Sequence, residues 1–243
     1  MGVLTNNVAL VTGASSGVGR AVALACAKAG LHVCLVGRNL DTLERVATEA
    51  RSAASRIVCC RADLAQDKDI RAIKDCITEN FQRVDLLVHS AGIIVHGTIA
   101  KAPVEEFDRQ YQLNVRCQYL LTQELLPWLK TSQGQVVFVN SSLGMSAREG
   151  VGQYAATKHA LKALADSLRD EVNEDGIRVL SVFLGRTATP MQASVHRIHN
   201  KEYRPERLIQ PDDVAGVILH ALQLPKSAEV TDVHLRPMQK PLS

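Results

Sequence analysis

Hydrophobic and polar positions alternate on two length scales along the whole chain. Short runs that are apolar at every position are typical of the buried strands of a parallel sheet. Longer runs between them have the amphipathic composition of helices. Strands are predicted over residues 8–12, 32–36, 57–60, 86–89, 136–139, 179–183 and 230–235. Helices are predicted over residues 17–29, 40–52, 66–80, 104–130, 154–173 and 212–222.

This regular alternation predicts the fold class. Strands that are each followed by a helix indicate an α/β protein with one parallel sheet and helices on both faces. Right-handed crossovers would make it a doubly wound, seven-stranded Rossmann-type unit, and we expect a single domain over residues 1–243. The least regular stretch, residues 192–210, is predicted to belong to a functional loop of about twenty residues after Pro190.

Composition narrows the classes of partner and compartment. Of the 243 residues, 46% are hydrophobic and 22% are charged, which excludes an intrinsically disordered chain. A dispersed net charge of +3 argues against nucleic acid, and the absence of a long apolar run argues against a membrane span. Six cysteines without a C-x-x-C pair indicate reduced, buried thiols. Since the first seven residues lack the features of a signal peptide, we expect a cytoplasmic protein.

A glycine-rich turn joins the first predicted strand to the first helix. Glycine lets the backbone approach a pyrophosphate closely, and a helix N-terminus offers free N–H groups and a favourable dipole. The segment therefore predicts a dinucleotide site. Its expected phosphate-binding residues are Gly13, Ser15, Ser16, Gly17, Val18 and Gly19.

The end of the second predicted strand indicates which dinucleotide binds. An NAD site usually has an acidic residue there, but this chain has Arg38 and no acid before Asp41. A permanently charged guanidinium suits the 2′-phosphate of NADP(H), which we therefore predict as the cofactor. The alternative is that Arg38 is an exposed arginine that opens a surface helix.

A tyrosine and a lysine lie four residues apart at the start of a predicted helix, and so share one face. Reduction of a carbonyl needs a proton for the forming alkoxide, and Tyr154 could deliver it if Lys158 lowered its pKa from the usual value of ~10. The spacing alone is common and is often structural. Two serines, Ser141 and Ser142, end the fifth strand at the crevice where α/β sheets bind ligands.

Taken in order, these residues resemble the classical short-chain dehydrogenase/reductase family over essentially the whole chain. The G-x-x-x-G-x-G spacing after Thr12 is part of the resemblance. It favours Ser141 over Ser142, because Ser141 has the family's separation from the tyrosine. The resemblance implies that Asn114, otherwise expected at the surface, supports a proton relay through Lys158. The implied catalytic residues are Asn114, Ser141, Tyr154 and Lys158.

The same resemblance implies the remaining cofactor contacts. Asp63 and Leu64 would hold the adenine, although Asp63 could equally be a turn residue. Backbone near Thr187 and the Thr189 hydroxyl would bind the carboxamide, and Lys158 and Tyr154 would contact the nicotinamide ribose. The further implied contacts are Ser90, Ala91, Gly92 and Gly185.

Two positions depart from the family pattern. His89 and Ser90 replace an asparagine pair that braces the sheet, and we expect His89 to replace those hydrogen bonds rather than to act in catalysis. Leu184 stands where the family has a proline before Gly185. This change loosens the prediction for that turn but leaves its contacts with the cofactor.

The substrate is expected to meet residues 93–96, residues 143–152 and the loop after Pro190. That loop contains basic side chains that are predicted to form a solvated lid, although they could instead steer an anionic substrate. They are His196, Arg197, His199, Lys201 and Arg204. The His196-x-x-His199 pair has no apparent third ligand, so we predict no metal. The resemblance also implies a homodimer or homotetramer formed through residues 104–130 and 154–173.

The function predicted from these features is NADP(H)-dependent interconversion of a carbonyl and an alcohol on a small molecule. The alternative is a catalytically idle dinucleotide-binding protein that senses redox state or acts as a scaffold. The presence of both Tyr154 and Lys158 favours the enzyme.

Overall fold

A computed structural model describes residues 4–51 and 56–239 of the chain. Within these ranges, seven strands form one sheet in the order β3-β2-β1-β4-β5-β6-β7, and every neighbouring pair is parallel. The strands are β1 Val8–Thr12, β2 His32–Gly37, β3 Ile57–Arg61, β4 Leu86–His89, β5 Gln135–Ser141, β6 Arg178–Leu184 and β7 Asp232–Leu235. The predicted doubly wound Rossmann-type sheet is confirmed. The last strand begins at Asp232 rather than at residue 230.

Helices cover both faces of this sheet. They are α1 Gly17–Lys28, α2 Leu40–Ala50, α3 Asp67–Asn80, α4 Val104–Tyr111, α5 Cys117–Ser132, α6 Gly152–Val172, α7 Pro190–Ile198 and α8 Pro211–Leu222. One hydrophobic cluster joins α1, α2 and α8 to one face, and a second joins α3, α5 and α6 to the other. None of these helices combines the length and the hydrophobicity that a membrane crossing needs. The predicted end of the second helix, at Ser52, lies outside the described residues, as do residues 1–3.

The apolar runs of the sequence follow from burial on both faces of the sheet. Every residue of β1 is buried. Ala9 and Val11 belong to the cluster on the α1 side, whereas Leu10 between them belongs to the cluster on the α3 side. Successive side chains of a strand point to opposite faces, so a strand between two helix layers needs apolar residues at every position.

The predicted uninterrupted helix over residues 104–130 is wrong in detail. A π-helical turn, Gln112–Arg116, separates α4 from α5, and α5 continues to Ser132. Pro127 lies inside α5 rather than at its end, and Gln133 ends the helix in a left-handed conformation with φ of 49°. A π turn inserts an extra residue into the helix and often lies at a functional site. Here it carries Asn114, which is fully buried.

The predicted long loop after Pro190 is also wrong, because its first half forms α7. Thr189 caps this helix, since its hydroxyl oxygen accepts a hydrogen bond from the backbone N–H of Gln192 at 3.2 Å. Pro190 occupies the first turn, where the missing N–H costs nothing. A short 3₁₀ turn, Pro205–Arg207, follows.

Candidate active site

A cavity of about 590 Å³ opens at the carboxyl ends of the strands. It spans the β1–β4 junction, where the strand order reverses and where open α/β sheets bind ligands. All but two of the predicted site residues line it. Those residues are Gly13, Ser15, Ser16, Gly17, Val18, Arg38, Asp63, Leu64, Ser90, Ala91, Gly92, Ser141, Tyr154, Lys158, Gly185, Thr187 and Thr189. The remaining two, Gly19 and Asn114, lie behind the wall.

The glycine turn has the geometry of a phosphate cradle. Gly13 has φ of +66°, and a Cβ there would lie 3.0 Å from the backbone of Ala91. A Cβ at Gly19 would lie only 2.4 Å from the Gly13 carbonyl oxygen, so α1 packs directly on the turn. Ser16 precedes α1 and, among the described residues, its side chain makes no capping hydrogen bond. The first N–H groups of α1 are therefore left for an anion, as a dinucleotide pyrophosphate requires.

Thr12, rather than His89, braces the loop after β4. The Thr12 hydroxyl donates to the Val88 carbonyl at 3.2 Å and accepts from the N–H groups of Ser90 and Ala91 at 3.1 and 3.2 Å. The expectation that His89 would replace the missing asparagine was therefore wrong. A single threonine at the end of β1 can reach this loop because β1 and β4 are adjacent in the sheet.

His89 packs instead against the helix layer. Its Nε2 lies 2.9 Å from the Thr122 hydroxyl of α5, and its ring stacks on Phe138 with centroids 4.9 Å apart. Burial lowers the pKa of His89 to about 3, so the imidazole is neutral. It does not line the cavity, and we assign it a packing role.

Asn114 holds the chain segment that follows β4. Its Oδ1 accepts from the Ile93 N–H at 2.8 Å, and its Nδ2 donates to the Ile93 carbonyl at 2.9 Å and to the Thr157 hydroxyl at 3.1 Å. A Cβ at Gly92 would lie 2.9 Å from Asn114 Oδ1, so a glycine is needed there for close approach. The Asn114 side chain thus links the π turn, the β4 loop and α6.

Ser141, Tyr154 and Lys158 meet in one part of the cavity. Ser141 ends β5, and Tyr154 and Lys158 lie one turn apart near the start of α6. Both α6 side chains are buried, with 9% and 4% of their surface exposed. Lys158 Nζ donates to the Val139 carbonyl at 3.0 Å and lies 5.8 Å from the centre of the Tyr154 ring. Ser142 also lines the cavity but begins the short 3₁₀ turn after β5.

Burial dominates the electrostatics of these groups, and the predicted lowering of the Tyr154 pKa by Lys158 is not seen. It raises the pKa of Tyr154 to about 12, and the neighbouring Ser141 hydroxyl opposes part of that rise. Burial also lowers the pKa of Lys158 to about 8, because removal from water disfavours the ammonium. Tyr154 is therefore protonated near neutral pH, whereas Lys158 titrates close to it.

Asn140 is a positioning residue that the sequence reasoning missed. It is buried, its Oδ1 accepts from the Ser141 N–H at 2.7 Å, and its Nδ2 donates to the Lys158 carbonyl at 3.1 Å. It therefore ties the end of β5 to the helix that carries Tyr154. An asparagine directly after the apolar run of residues 136–139 was the available signal, because buried amides occur where they are hydrogen-bonded.

Several predicted cofactor contacts also have structural roles. Asp63 is a turn residue, since its Oδ1 accepts from the Ala65 N–H at 3.1 Å, and its side chain is also part of the cavity wall. The Thr187 hydroxyl donates to the Gly185 carbonyl at 3.1 Å. Arg38 is exposed at the far end of the cavity, next to Gly37 of β2.

The two histidines of the His196-x-x-His199 pair have separate surroundings. His196 is buried, and its Nδ1 lies 2.8 Å from the Gln192 carbonyl. His199 Nε2 lies 3.0 Å from Nδ1 of His96, which belongs to the loop after β4. The sequence does not indicate that these two histidines are neighbours. In residues 4–51 and 56–239, no three His, Cys, Asp or Glu side chains are grouped so that they could hold a metal ion.

A Rossmann-type sheet with a glycine turn, a buried tyrosine–lysine pair and a serine at the crevice defines a class of oxidoreductases. The family model described as short chain dehydrogenase matches residues 7–199. The chain belongs to the short-chain dehydrogenase family.

Comparisons with individual proteins agree with this assignment. The chain is 33% identical to a glycine betaine reductase of Emericella nidulans, with 99% of the chain covered. It spans only 19% of the length of that relative. It is similar to the alcohol dehydrogenase of the archaeon Thermococcus sibiricus complexed with 5-hydroxy-NADP, at a TM-score of 0.88 and 27% identity, with 98% and 99% of the two chains covered. It is also similar to L-sorbose reductase from Gluconobacter frateurii complexed with NADPH and L-sorbose, at a TM-score of 0.87 and 25% identity, with 100% and 99% covered.

Proposed function

We propose that this protein is an NADP(H)-dependent oxidoreductase that interconverts a carbonyl and an alcohol on a small molecule. One observation carries the proposal. Ser141, Tyr154 and Lys158 line the same cavity as the glycine turn of β1, so a proton donor lies beside a dinucleotide site. A redox sensor or scaffold would need the dinucleotide site but not the buried hydroxyl and ammonium groups.

The cavity walls suggest how the cofactor would be held. Gly13 to Gly19 would cradle the pyrophosphate at the start of α1, and Asp63 and Leu64 would border the adenine. Arg38 would bind the 2′-phosphate, because no carboxylate follows β2 before Asp41. The two similar solved enzymes were complexed with 5-hydroxy-NADP and with NADPH, which supports the same cofactor here.

The side chains would supply the proton and the orientation. When bound, NADP(H) carries the hydride that reduction adds to the carbonyl carbon. Tyr154, protonated because burial raises its pKa to about 12, donates its proton to the carbonyl oxygen. The Ser141 hydroxyl donates a hydrogen bond to the same oxygen, and the Lys158 ammonium stabilises the tyrosinate that remains. Asn114 holds the neighbouring loop and supports proton return through Lys158.

The proposal is tested by NADPH oxidation with a panel of aldehydes and ketones. We expect turnover by the wild-type protein, loss of at least 100-fold in Tyr154→Phe, and unchanged NADPH affinity in that variant. Tyr119→Phe, which removes an exposed hydroxyl from α5, serves as the control. Turnover by Tyr154→Phe at the wild-type rate would contradict the mechanism. Tight NADPH binding without turnover of any carbonyl would favour the sensor.

We also propose that the protein is a cytoplasmic homo-oligomer that associates through α4–α5 and α6. Val104 and Tyr111 are 63% and 46% exposed on α4, so this helix presents apolar surface that an association would cover. The six cysteines are free, as in a reducing compartment. Analytical ultracentrifugation should show a dimer or tetramer that Tyr111→Glu dissociates. A monomeric wild-type protein would exclude the assembly.

A further inference from the structure

Five basic side chains line the cavity on the side that holds the reacting residues. They come from four segments that are distant in the chain: the loop after β4, the segment between β5 and α6, the turn after β6, and the segment that includes and follows the end of α7. They are His96, Arg148, Arg186, His199 and Lys201. We propose that these groups form a site for an anionic group, such as a carboxylate, on the carbonyl substrate. This inference rests on the proposed function and specifies its substrate class.

The basic cluster is separate from the predicted 2′-phosphate site. Arg186 lies two residues after the end of β6, whereas Arg38 directly follows β2. The strands β2 and β6 are separated by four steps in the sheet, and at ~4.8 Å per step their ends lie roughly 19 Å apart. Arg148 precedes Tyr154 by six residues and lines the cavity together with it. The cluster therefore belongs to the reacting end of the cavity.

Within the described part of the chain, the two arginines of this cluster have no acidic partner. Neither Arg148 nor Arg186 forms an ion pair or a side-chain hydrogen bond there, although other arginines do, such as Arg116 with Asp67. Glu149 is the one described carboxylate at this end of the cavity, and it is exposed and pairs with neither arginine. Arg148 is exposed and Arg186 is half-buried, so both guanidinium groups line the cavity with donors that no described side chain or backbone group occupies.

The members of the cluster also repel one another. Desolvation lowers the pKa of Arg186, and the charge of Arg148 lowers it further. Desolvation also lowers the pKa of His96, and the charges of His199 and Arg148 lower it further. His96 Nε2 is buried and has no hydrogen-bond partner in the described ranges. A bound anion would relieve this repulsion and would accept from the unused donors.

The other residues of the cavity wall indicate what kind of substrate would carry the anionic group. Apolar side chains line the same cavity as the basic cluster and the reacting hydroxyls. They are Ile93, Ile94, Leu143, Val151 and Val195. A small inorganic anion would leave these surfaces in contact with water, whereas an apolar body would cover them. The fitting substrate is therefore an aldehyde or ketone with an apolar body and a terminal carboxylate.

The basic residues that the sequence predicted as a solvated lid fall into two groups, inside and outside the cavity wall. His196, His199 and Lys201 line the cavity, whereas Arg197 and Arg204 do not. Arg204 instead pairs with Glu202 at 2.8 Å. Arg197 is exposed and lies on the same helix as His196, so it offers a control that removes one positive charge next to the cavity but outside it.

The test compares three aldehydes of similar shape: 4-carboxybenzaldehyde, 4-formylbenzamide and 4-(trimethylammonio)benzaldehyde. We expect the carboxylate to have the highest kcat/KM and the cation the lowest. Because a charge-assisted hydrogen bond contributes ~1.5–3 kcal/mol, the ratio of carboxylate to amide should fall by roughly 10- to 100-fold in Arg148→Gln and in Arg186→Gln. The ratio should stay at the wild-type value in Arg197→Gln.

Titration calorimetry with benzoate, in the presence of NADP⁺, gives a readout that needs no turnover. Benzoate should bind the wild-type protein and Arg197→Gln equally, and should bind Arg148→Gln and Arg186→Gln at least tenfold more weakly. Equal kcat/KM for the three aldehydes, with no benzoate binding, would overturn the anion site while leaving the proposed function intact. Benzoate binding without oxidation of NADPH by any aldehyde would overturn the proposed function instead. A loss of NADPH affinity in Arg186→Gln with an unchanged substrate ratio would assign that arginine to the cofactor.

Discussion

Asn114 and Ile93 form a reciprocal pair in which one side-chain amide satisfies both backbone groups of one residue. Asn114 Oδ1 accepts from the Ile93 N–H at 2.8 Å, and Asn114 Nδ2 donates to the Ile93 carbonyl at 2.9 Å. The arrangement resembles a single rung of a sheet, made by a side chain instead of a second strand. The pair attaches the loop after β4 to the π turn between α4 and α5. This loop forms one wall of the cavity.

Asn114→Leu keeps the size of this side chain and removes its hydrogen bonds. The N–H and the carbonyl of Ile93 then lose their side-chain partner, and the buried Thr157 hydroxyl keeps only its hydrogen bond to the Tyr154 carbonyl, at a cost of ~1–3 kcal/mol for a buried group left unpaired. We expect a loss of about 2 kcal/mol in the free energy of unfolding and a Tm lower by roughly 4–8 °C, measured by urea and thermal denaturation. Gln123→Leu makes the same chemical change on the exposed side of α5 and should shift Tm little. Equal shifts in both variants would contradict the structural role of Asn114.

Two glycines in helices provide a matched pair for the fit of α1 to the glycine turn. A methyl group at Gly19 would lie 2.4 Å from the Gly13 carbonyl oxygen, whereas one at Gly216 of α8 meets no atom within 4 Å. Gly19→Ala should therefore displace the turn, destabilise the protein by roughly 1–3 kcal/mol and weaken NADPH binding at least tenfold. Gly216→Ala should stabilise it by roughly 0.5–1 kcal/mol, because alanine favours a helix interior. Calorimetry and fluorescence titration of NADPH measure both effects, and an undisturbed affinity in Gly19→Ala would show that the turn does not bind the cofactor.

Periodicity predicts the sheet of this protein well, because every strand is buried between two helix layers. A strand such as β1, with apolar residues on both faces, cannot be mistaken for an exposed one. The π turn at Asn114 was not predictable in the same way. The turn carries Asn114, whose side chain bonds to Ile93 and Thr157 in distant segments, and the local sequence does not indicate such partners.

Local signals were present where the prediction of a loop after Pro190 went wrong. Thr189 and Pro190 form a cap and a first-turn residue, a known start signal for a helix, but the charged residues that follow favoured a loop. Arg148 and Arg186 line the same cavity, and the sequence could not predict this. Their proximity depends on how the β5–α6 connection and the turn after β6 are arranged in space. Thr12 is a similar case, since its partners are brought to it only by the pairing of β1 with β4.

The charge at Arg38 should decide the choice of dinucleotide. Arg38→Asp replaces a donor for the 2′-phosphate with a carboxylate that repels it and that can accept from ribose hydroxyls. We expect the ratio of kcat/KM for NADPH to that for NADH to fall at least 100-fold, measured by steady-state oxidation of each cofactor. Arg45→Asp makes the same change of charge on the exposed face of α2, outside the cavity, and should change the ratio little. A similar fall in both variants would mean that the general field of the protein, and not a contact at Arg38, sets the preference.

The buried Lys158 predicts a stability that rises with pH in the alkaline range. Its pKa falls from 10.5 to about 8 on folding, because burial disfavours the ammonium. Between these two values the unfolded chain binds more protons at this site than the folded chain, so the free energy of unfolding increases with pH. The stabilisation is complete above the unfolded value and is lost as the pH falls through about 8.

A difference of this size is measurable once other titrations are subtracted. The free energy of unfolding of the wild type minus that of Lys158→Met should rise by about 3 kcal/mol between pH 7 and pH 11, since each pKa unit corresponds to ~1.4 kcal/mol. Urea denaturation at several pH values measures it, and a parallel series with Lys162→Met corrects for the loss of a lysine from the same helix. Titration of Cys26, which destabilises the protein at alkaline pH because burial raises the pKa of this thiol to about 12, cancels in the difference, since Lys158 does not influence it. A difference that stays constant or falls with pH would mean that Lys158 is not desolvated by the fold, and the proposed stabilisation of the tyrosinate by a buried ammonium would lose its basis.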